Sequence, residues 1–180
     1  MITYFKTTVT ALLKKTKAKQ PTKKTEIKQP WMTFYDPGRS INELRKGYPA
    51  FFFSKPGEGW YNQEDFANLK EKPCMRTILA ELLEGSLNKT WKEQQKLIPE
   101  DCEIPLARQV MIMCLLHFLK TGEYLLKDVY VRCRDLSSDG SLLRFGNCDS
   151  GGACFGDCSP GYSDDNLGVV PSWKPRALKS

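Results

Sequence analysis

Arg134 to Gly168 reads RDLSSDGSLLRFGNCDSGGACFGDCSPGYSDDNLG, a stretch unlike the rest of the chain. Gly, Ser and Asp crowd it, and each favours turns for its own reason: freedom of φ, or side-chain hydrogen bonds to nearby backbone. Leu142-Leu143 and Phe145 are small apolar clusters that fit short strands between those turns. The window holds no Lys, Glu, Gln, Met or Trp, whereas the other 145 residues hold 45 of these five kinds. At that density the window would contain about 11 of them. An ordinary loop region is poor in such residues, which accounts for part of the depletion only.

One cause that would account for the rest, beside an ordinary loop region of no special origin, lies in the nucleic acid. Take codons AAC or AAT and randomise their adenines. The third base stays a pyrimidine, so Lys, Glu, Gln, Met and Trp lie out of reach. Every residue type between 134 and 168 lies within reach. Cys148, Cys154 and Cys158, irregularly spaced, also suit random substitution.

Upstream, the chain reads as helices followed by short strands. Trp31 to Tyr61 is rich in aromatics and Pro/Gly turns, with Ala50-Phe51-Phe52-Phe53 expected as a buried strand. Ile78, Leu79, Leu82 and Leu83 share a 3–4 spacing, which predicts a helix over Met75–Leu83 ended by Gly85. Thr90–Ile98 is expected as a short helix stopped by Pro99. Pro105 opens the clearest helix, running to about Thr121 with Gly122 as its stop. Val129-Tyr130-Val131 reads as a strand, and Val169-Val170 as a last strand limited by Pro171. Helices first and strands later predict an α+β domain, helices packed on short antiparallel strands with a loop-rich C-terminal half.

The net charge of +6 is concentrated at one end. Residues 1–30 carry eight Lys and one Glu; residues 31–180 carry 19 basic and 20 acidic side chains. The division expected is a basic flexible tail over 1–30 and one binding domain over 31–180, with its variable region at about 134–168. Met1–Leu13 is mildly apolar but precedes its charges, the wrong order for a secretory signal peptide. The longest apolar run, Val110–Leu119, is too short to cross a membrane. These features give a cytoplasmic default, or a virion-associated protein. Seven Cys, an odd count, argue against a disulfide framework, and Cys114 reads as a small core residue.

Several motifs resemble those of diversity-generating retroelement variable proteins. They are Val129-Tyr130-Val131-Arg132-Cys133, Ser138-Asp139-Gly140, Gly146, Gly152, Asp165, Leu167-Gly168-Val169 and Ser172-Trp173-Lys174. Glu71-Lys72-Pro73-Cys74, Asn88-Lys89-Thr90-Trp91, Glu93-Gln94-Gln95 and Ile104-Pro105 are similar to upstream parts of such proteins. The resemblance covers roughly residues 60–175. Cys148 departs from a usual Phe, and Ala153 from a usual Leu. The resemblance implies a C-type-lectin-like fold, shared with formylglycine-generating enzymes. It further implies outward, diversified positions at Ser141, Arg144, Asn147, Ser150, Gly151, Cys154, Gly156, Asp157, Cys158, Ser159, Gly161, Tyr162, Ser163, Asp164 and Asn166. Scaffold positions would be Arg132, Asp139, Gly140, Leu143, Phe145, Gly146, Gly152, Phe155, Asp165, Leu167, Gly168 and Val169. The glycines would supply unusual backbone angles, and Asp139 and Asp165 would fix turns.

Other chemistries meet specific obstacles. Four thiolates from Cys133, Cys148, Cys154 and Cys158 would make a zinc module, the main alternative, but their spacing has no CxxC knuckle. Asp149-Ser150-Gly151-Gly152 resembles the nucleophile segment of trypsin-like proteases. That chemistry needs a His base, and His117, the one His, lies in an apolar helix and reads as a core residue. Oxygen-dependent chemistry like that of formylglycine-generating enzymes does not follow from a shared fold. The Asp residues form no recognisable calcium loop. Nucleic-acid binding is an option for the tail alone, and none is expected of the folded domain. The expectation is a binding module for an unknown protein or other macromolecule, with no catalysis and no cofactor.

Overall fold

The computed structural model describes residues 30–174. The tail expected over 1–30 lies outside the described residues, except for Pro30. The body is α+β, with two four-stranded sheets. The first has the order β1 (Trp31–Asp36), β2 (Cys74–Leu79), β8 (Ser172–Trp173) and β3 (Cys102–Glu103), all antiparallel. The second has the order β6 (Gly152–Cys158), β5 (Leu142–Asp149), β4 (Tyr130–Leu136) and β7 (Leu167–Gly168). Its β4–β7 pairing is parallel and the others are antiparallel.

Helix α4 (Ala107–Thr121) explains why its sequence is apolar all round. It packs against β1 of one sheet and against β4 and β5 of the other, so no side of its first half meets water. Gly122 ends it in a left-handed conformation at φ 78°, donating its N–H to Phe118 O at 2.8 Å. Three shorter helices are α1 (Ile41–Gly47), α2 (Asp65–Asn68) and α3 (Trp91–Gln95). Helix α3 falls inside the expected Thr90–Ile98 helix and starts with a Thr90/Glu93 capping box.

Four local expectations are corrected. The helix expected over Met75–Leu83 is instead strand β2, paired with β1 at every residue from Cys74 to Leu79. The 3–4 spacing was accidental: Ile78 and Leu79 end a strand, while Leu83 lies past a bend and binds Val169 O through its N–H. Ala50–Phe53 is not a strand. Pro49 opens a 3-10 turn over Pro49–Phe51, and only Phe52 makes a bridge, to Ala153. Val169-Val170 is not a strand either; Leu167–Gly168 and Ser172–Trp173 pair on either side, and Pro171 between them has no N–H to give. The brief strands expected at Leu142-Leu143 and Phe145 are one continuous strand, β5.

A buried charge knot joins the first sheet to α4. Arg108 grips both Asp36 oxygens at 2.8 and 2.7 Å, and Arg76 reaches Asp36 at 2.7 Å and Glu71 at 2.8 Å. Glu71 also accepts from Arg108 and from Gln109. Burial pushes the Asp36 and Glu71 carboxyls up. The guanidiniums beside Asp36, and Gln109 and Arg108 beside Glu71, outweigh that and hold both below the ordinary carboxylate range. With two cations, two anions and Gly38 N–H on Asp36, the knot is balanced in charge, only Arg108 Nε in it lacking a partner, and it reads as structural.

Candidate ligand-binding surface

The second sheet has two unlike faces. Val131, Cys133, Leu143, Phe145, Ala153 and Phe155 are buried in the core. Arg132, Arg144 and Gly156 form a row on the other face, set by the register Arg132↔Arg144 and Arg144↔Gly156. The Arg144 guanidinium lies 4.6 Å from the centre of the Tyr130 ring.

The segment between β6 and β7 crosses this outer face, and its main chain is tied down from outside. Pro160 O accepts from Trp91 N at 3.0 Å, and Tyr162 O from Arg132 Nη2 at 2.7 Å. Asp164 O accepts from Asn88 N at 2.9 Å, and Asn166 O from Tyr130 N at 2.7 Å. Every second carbonyl is thus held by a donor from residues 88–91 or from β4, and Asp164 O accepts from Leu167 N at 3.5 Å as well. None of these bonds uses a side chain of the segment itself. Arg132 is fully buried and its other contacts are Lys89 O, Gln94 Oε1 and Cys158 Sγ. Gln94, also buried, donates to Ser86 O and Leu167 O.

The glycines divide into two kinds. A Cβ on Gly146 would lie 2.2 Å from Val129 O, and one on Gly152 2.4 Å from Phe52 C. Gly152 also has φ 109°, so main chain and conformation both exclude a side chain there. A Cβ on Gly161 would meet nothing within 4 Å. At Gly156 and Gly151 the closest atoms are side-chain ones, Arg144 Nε at 2.9 Å and Asp149 Oδ1 at 3.0 Å.

Of the fifteen positions singled out, Ser150, Gly151, Asp157, Ser159, Gly161, Tyr162 and Ser163 are exposed. Ser141, Arg144, Asn147, Cys154, Gly156, Cys158, Asp164 and Asn166 are half-buried. They form two patches. Ser150 and Gly151 sit at the β5–β6 turn, while Ser159 to Asp164 lie beyond the other end of β6, roughly 20 Å away at ~3.3 Å per residue. Arg144, Cys154 and Gly156 lie between. Tyr162 donates its hydroxyl to Asp164; that bond raises the phenol and lowers the carboxyl. Asn147 has φ 48° at the irregularity in β5, a conformation Asn tolerates better than most.

Among the scaffold positions, Arg132, Leu143, Phe145, Gly146, Gly152, Phe155, Leu167, Gly168 and Val169 are buried, whereas Asp139, Gly140 and Asp165 are exposed. Asp139 accepts from Ser137 Oγ at 2.6 Å and Ser141 N at 3.0 Å, fixing the β4–β5 turn. In the last turn the acceptor of the backbone N–H groups is Asp164, one residue before the Asp165 expected. Asp149 fixes the β5–β6 turn through Gly151 N at 2.7 Å, a role the sequence reading missed.

The four cysteines weighed as zinc ligands are not brought together. Cys133 and Cys148 are fully buried, whereas Cys154 and Cys158 are partly exposed on β6, Cys158 against Arg132 on the outer face. Among the described residues no group of three or more His, Cys, Asp or Glu is placed to hold a metal ion. His117 is half-buried near the end of α4, and no hydrogen bond joins it to Ser150. No described helix is long and apolar enough to cross a membrane.

The sequence reading also missed two exposed aromatics beside β6. Phe53 is 68% exposed and gives its N–H to Ala153 O at 3.1 Å. Trp60 is 48% exposed and donates Nε1–H to Phe155 O at 3.4 Å. Their aromatic-rich stretch was visible, but nothing in it distinguished an outward ring from a buried one. No family model matches the chain, and neither a curated protein nor a solved structure matches it.

Proposed function

We propose that this protein is a ligand-binding module whose 134–168 region is a hypervariable, retroelement-diversified surface on a C-type-lectin-like scaffold, and that it is not an enzyme. The reading rests chiefly on the tethering of residues 160–166 by their own carbonyls. A loop held by its main chain keeps its course whatever side chains it carries, which is what a surface open to rewriting needs. The glycines support it in part: main chain excludes a Cβ at 146 and 152, whereas nothing meets one at 161 and only side chains meet one at 151 and 156, as they also do at scaffold Gly168. The missing Lys, Glu, Gln, Met and Trp give a genetic reason for the same boundary. Ser, Gly, Asn and Tyr are suited to adaptable contact with a protein or other macromolecular ligand.

The test is genetic and direct. DNA flanking the gene should carry a reverse-transcriptase gene and an imperfect repeat of codons 134–168 that differs from the coding copy at adenines. A repeat differing equally at all four bases contradicts the proposal. The zinc module is tested by metal analysis of the purified chain, where stoichiometric zinc lost on Cys148→Ser would favour it over the binding surface.

A further inference from the structure

We infer that β1 is a pairing edge through which two copies of this chain join into one continuous sheet. The first observation is the direction of its backbone groups. Ala80 N donates to Pro30 O at 2.9 Å, which makes Pro30 and Ala80 a hydrogen-bonded pair. In an antiparallel ladder such pairs recur every second residue. Met32, Phe34 and Asp36 therefore turn their N–H and C=O groups toward β2. Trp31, Thr33 and Tyr35 turn theirs away, to the outer edge of the sheet, where no described residue meets them.

The second observation is that, among the described residues, this edge alone lacks protection. Proteins blunt sheet edges with charge, proline, bulges, shortness or a covering segment. Strands β3 and β7 have two residues each. The outer edge of β6 is covered where Phe53 and Trp60 donate to Ala153 O and Phe155 O. Strand β1 runs six residues without a bulge, and Trp31 to Tyr35 contains no charge and no proline.

The third observation selects a second copy as the occupant. Read antiparallel about Thr33, the outward sequence Trp31-x-Thr33-x-Tyr35 complements itself. Thr33 faces Thr33 of the other copy, and each Trp31 faces a Tyr35. These three facing pairs are the hydrogen-bonded kind, so each exchanges two bonds. Aromatic pairs and Thr–Thr pairs are favourable across strands. The exposed side chains on this face continue the ladder, with Tyr35 beside Met75 and Thr33 bonded to Thr77 at 2.9 Å. Residues 31–180 carry 19 basic and 20 acidic groups, so the net charge opposing self-association is that of the eight Lys and one Glu of residues 1–30. The two-fold arrangement is closed and cannot grow into a filament. It stands whatever the 134–168 region binds.

The experiment is sedimentation of the full chain, alone and as Thr33→Lys and Thr33→Glu variants. The native chain should show the mass of two copies. Each variant should show the mass of one, because like charges meet at the two-fold, with its thermal melt still cooperative. Mixing the two variants should restore the two-copy mass, since opposite charges then face each other, and a misfolded chain has no such rescue. A native chain of single-copy mass at about 100 μM, or a Thr33→Lys variant that associates as the native chain does, overturns the inference.

Discussion

Arg132 is a buried cation with no carboxylate beside it among the described residues. Its partners are the carbonyls of Tyr162 and Lys89, the Gln94 amide oxygen and the Cys158 sulfur. Arg132→Met would fit the space but orphan those acceptors. The expected cost is about 2–4 kcal/mol, read by urea unfolding, and backbone amides of residues 160–166 should exchange faster. Unchanged exchange there would remove Arg132 from its anchoring role. Asn147 offers a second check. At φ 48° a β-branched side chain is strained and glycine is not. Asn147→Val should lose about 1–2 kcal/mol, while Asn147→Gly should stay within about 0.5 kcal/mol of the native chain. Equal effects would mean that the left-handed turn is absent in solution. Neither role was legible from residue type. Arg132 was assigned to the scaffold by resemblance, but its partners depend on the long-range approach of residues 88–94.

At the scale of elements, α4 was legible and β2 was not, for a shared reason. Helix α4 has fifteen residues between a Pro and a left-handed Gly, long enough for its pattern to repeat. Strand β2 has six, and its apolar pair Ile78-Leu79 merges with Leu82-Leu83 beyond the bend into a false helical spacing. The start of α4 carries its own prediction. Asp135 reaches from β4 to accept from Ala107 N at 2.6 Å. Burial pushes its carboxyl up, and the Ala107 N–H offsets this only in part. A raised carboxyl contributes stability below its unfolded value of about 4, and that contribution is lost as pH rises through the folded value. At neutral pH the charge is therefore a cost. Asp135→Asn keeps an acceptor for Ala107 and removes the charge, so it should gain about 1 kcal/mol at pH 7, with the gain vanishing near pH 3. A loss at pH 7 in thermal melts would contradict this.

For the molecule as a whole, the charge knot of Asp36, Glu71, Arg76 and Arg108 works in the opposite sense. Its carboxyls are depressed, so they contribute stability above the unfolded value of about 4. That stability is lost as pH falls through the still lower folded values. Native acid unfolding should accordingly be steep below about pH 4. Arg108→Met, which strips Asp36 of its bidentate partner, should destabilise at neutral pH and flatten that slope. An unchanged slope would show that the knot is not what acid breaks. The sequence disclosed the class of the body, α+β, and the extent of an unusual window. It did not disclose that the window forms two patches at opposite ends of β6, because that needs the register of β5 against β6. Nor did it show Phe53 and Trp60 standing at the rim, since their exposure is set by a 3-10 turn and a covering segment.

One replacement experiment tests the whole account. Ser159, Gly161, Tyr162, Ser163, Asp164 and Asn166 are exchanged together for other residues reachable from AAY codons, and thermal unfolding of many such chains is recorded. Held by carbonyls at 160, 162, 164 and 166, most should unfold cooperatively within about 5 °C of the native chain. If most instead lose cooperative unfolding, the side chains hold the loop, and the region is not a surface free to vary.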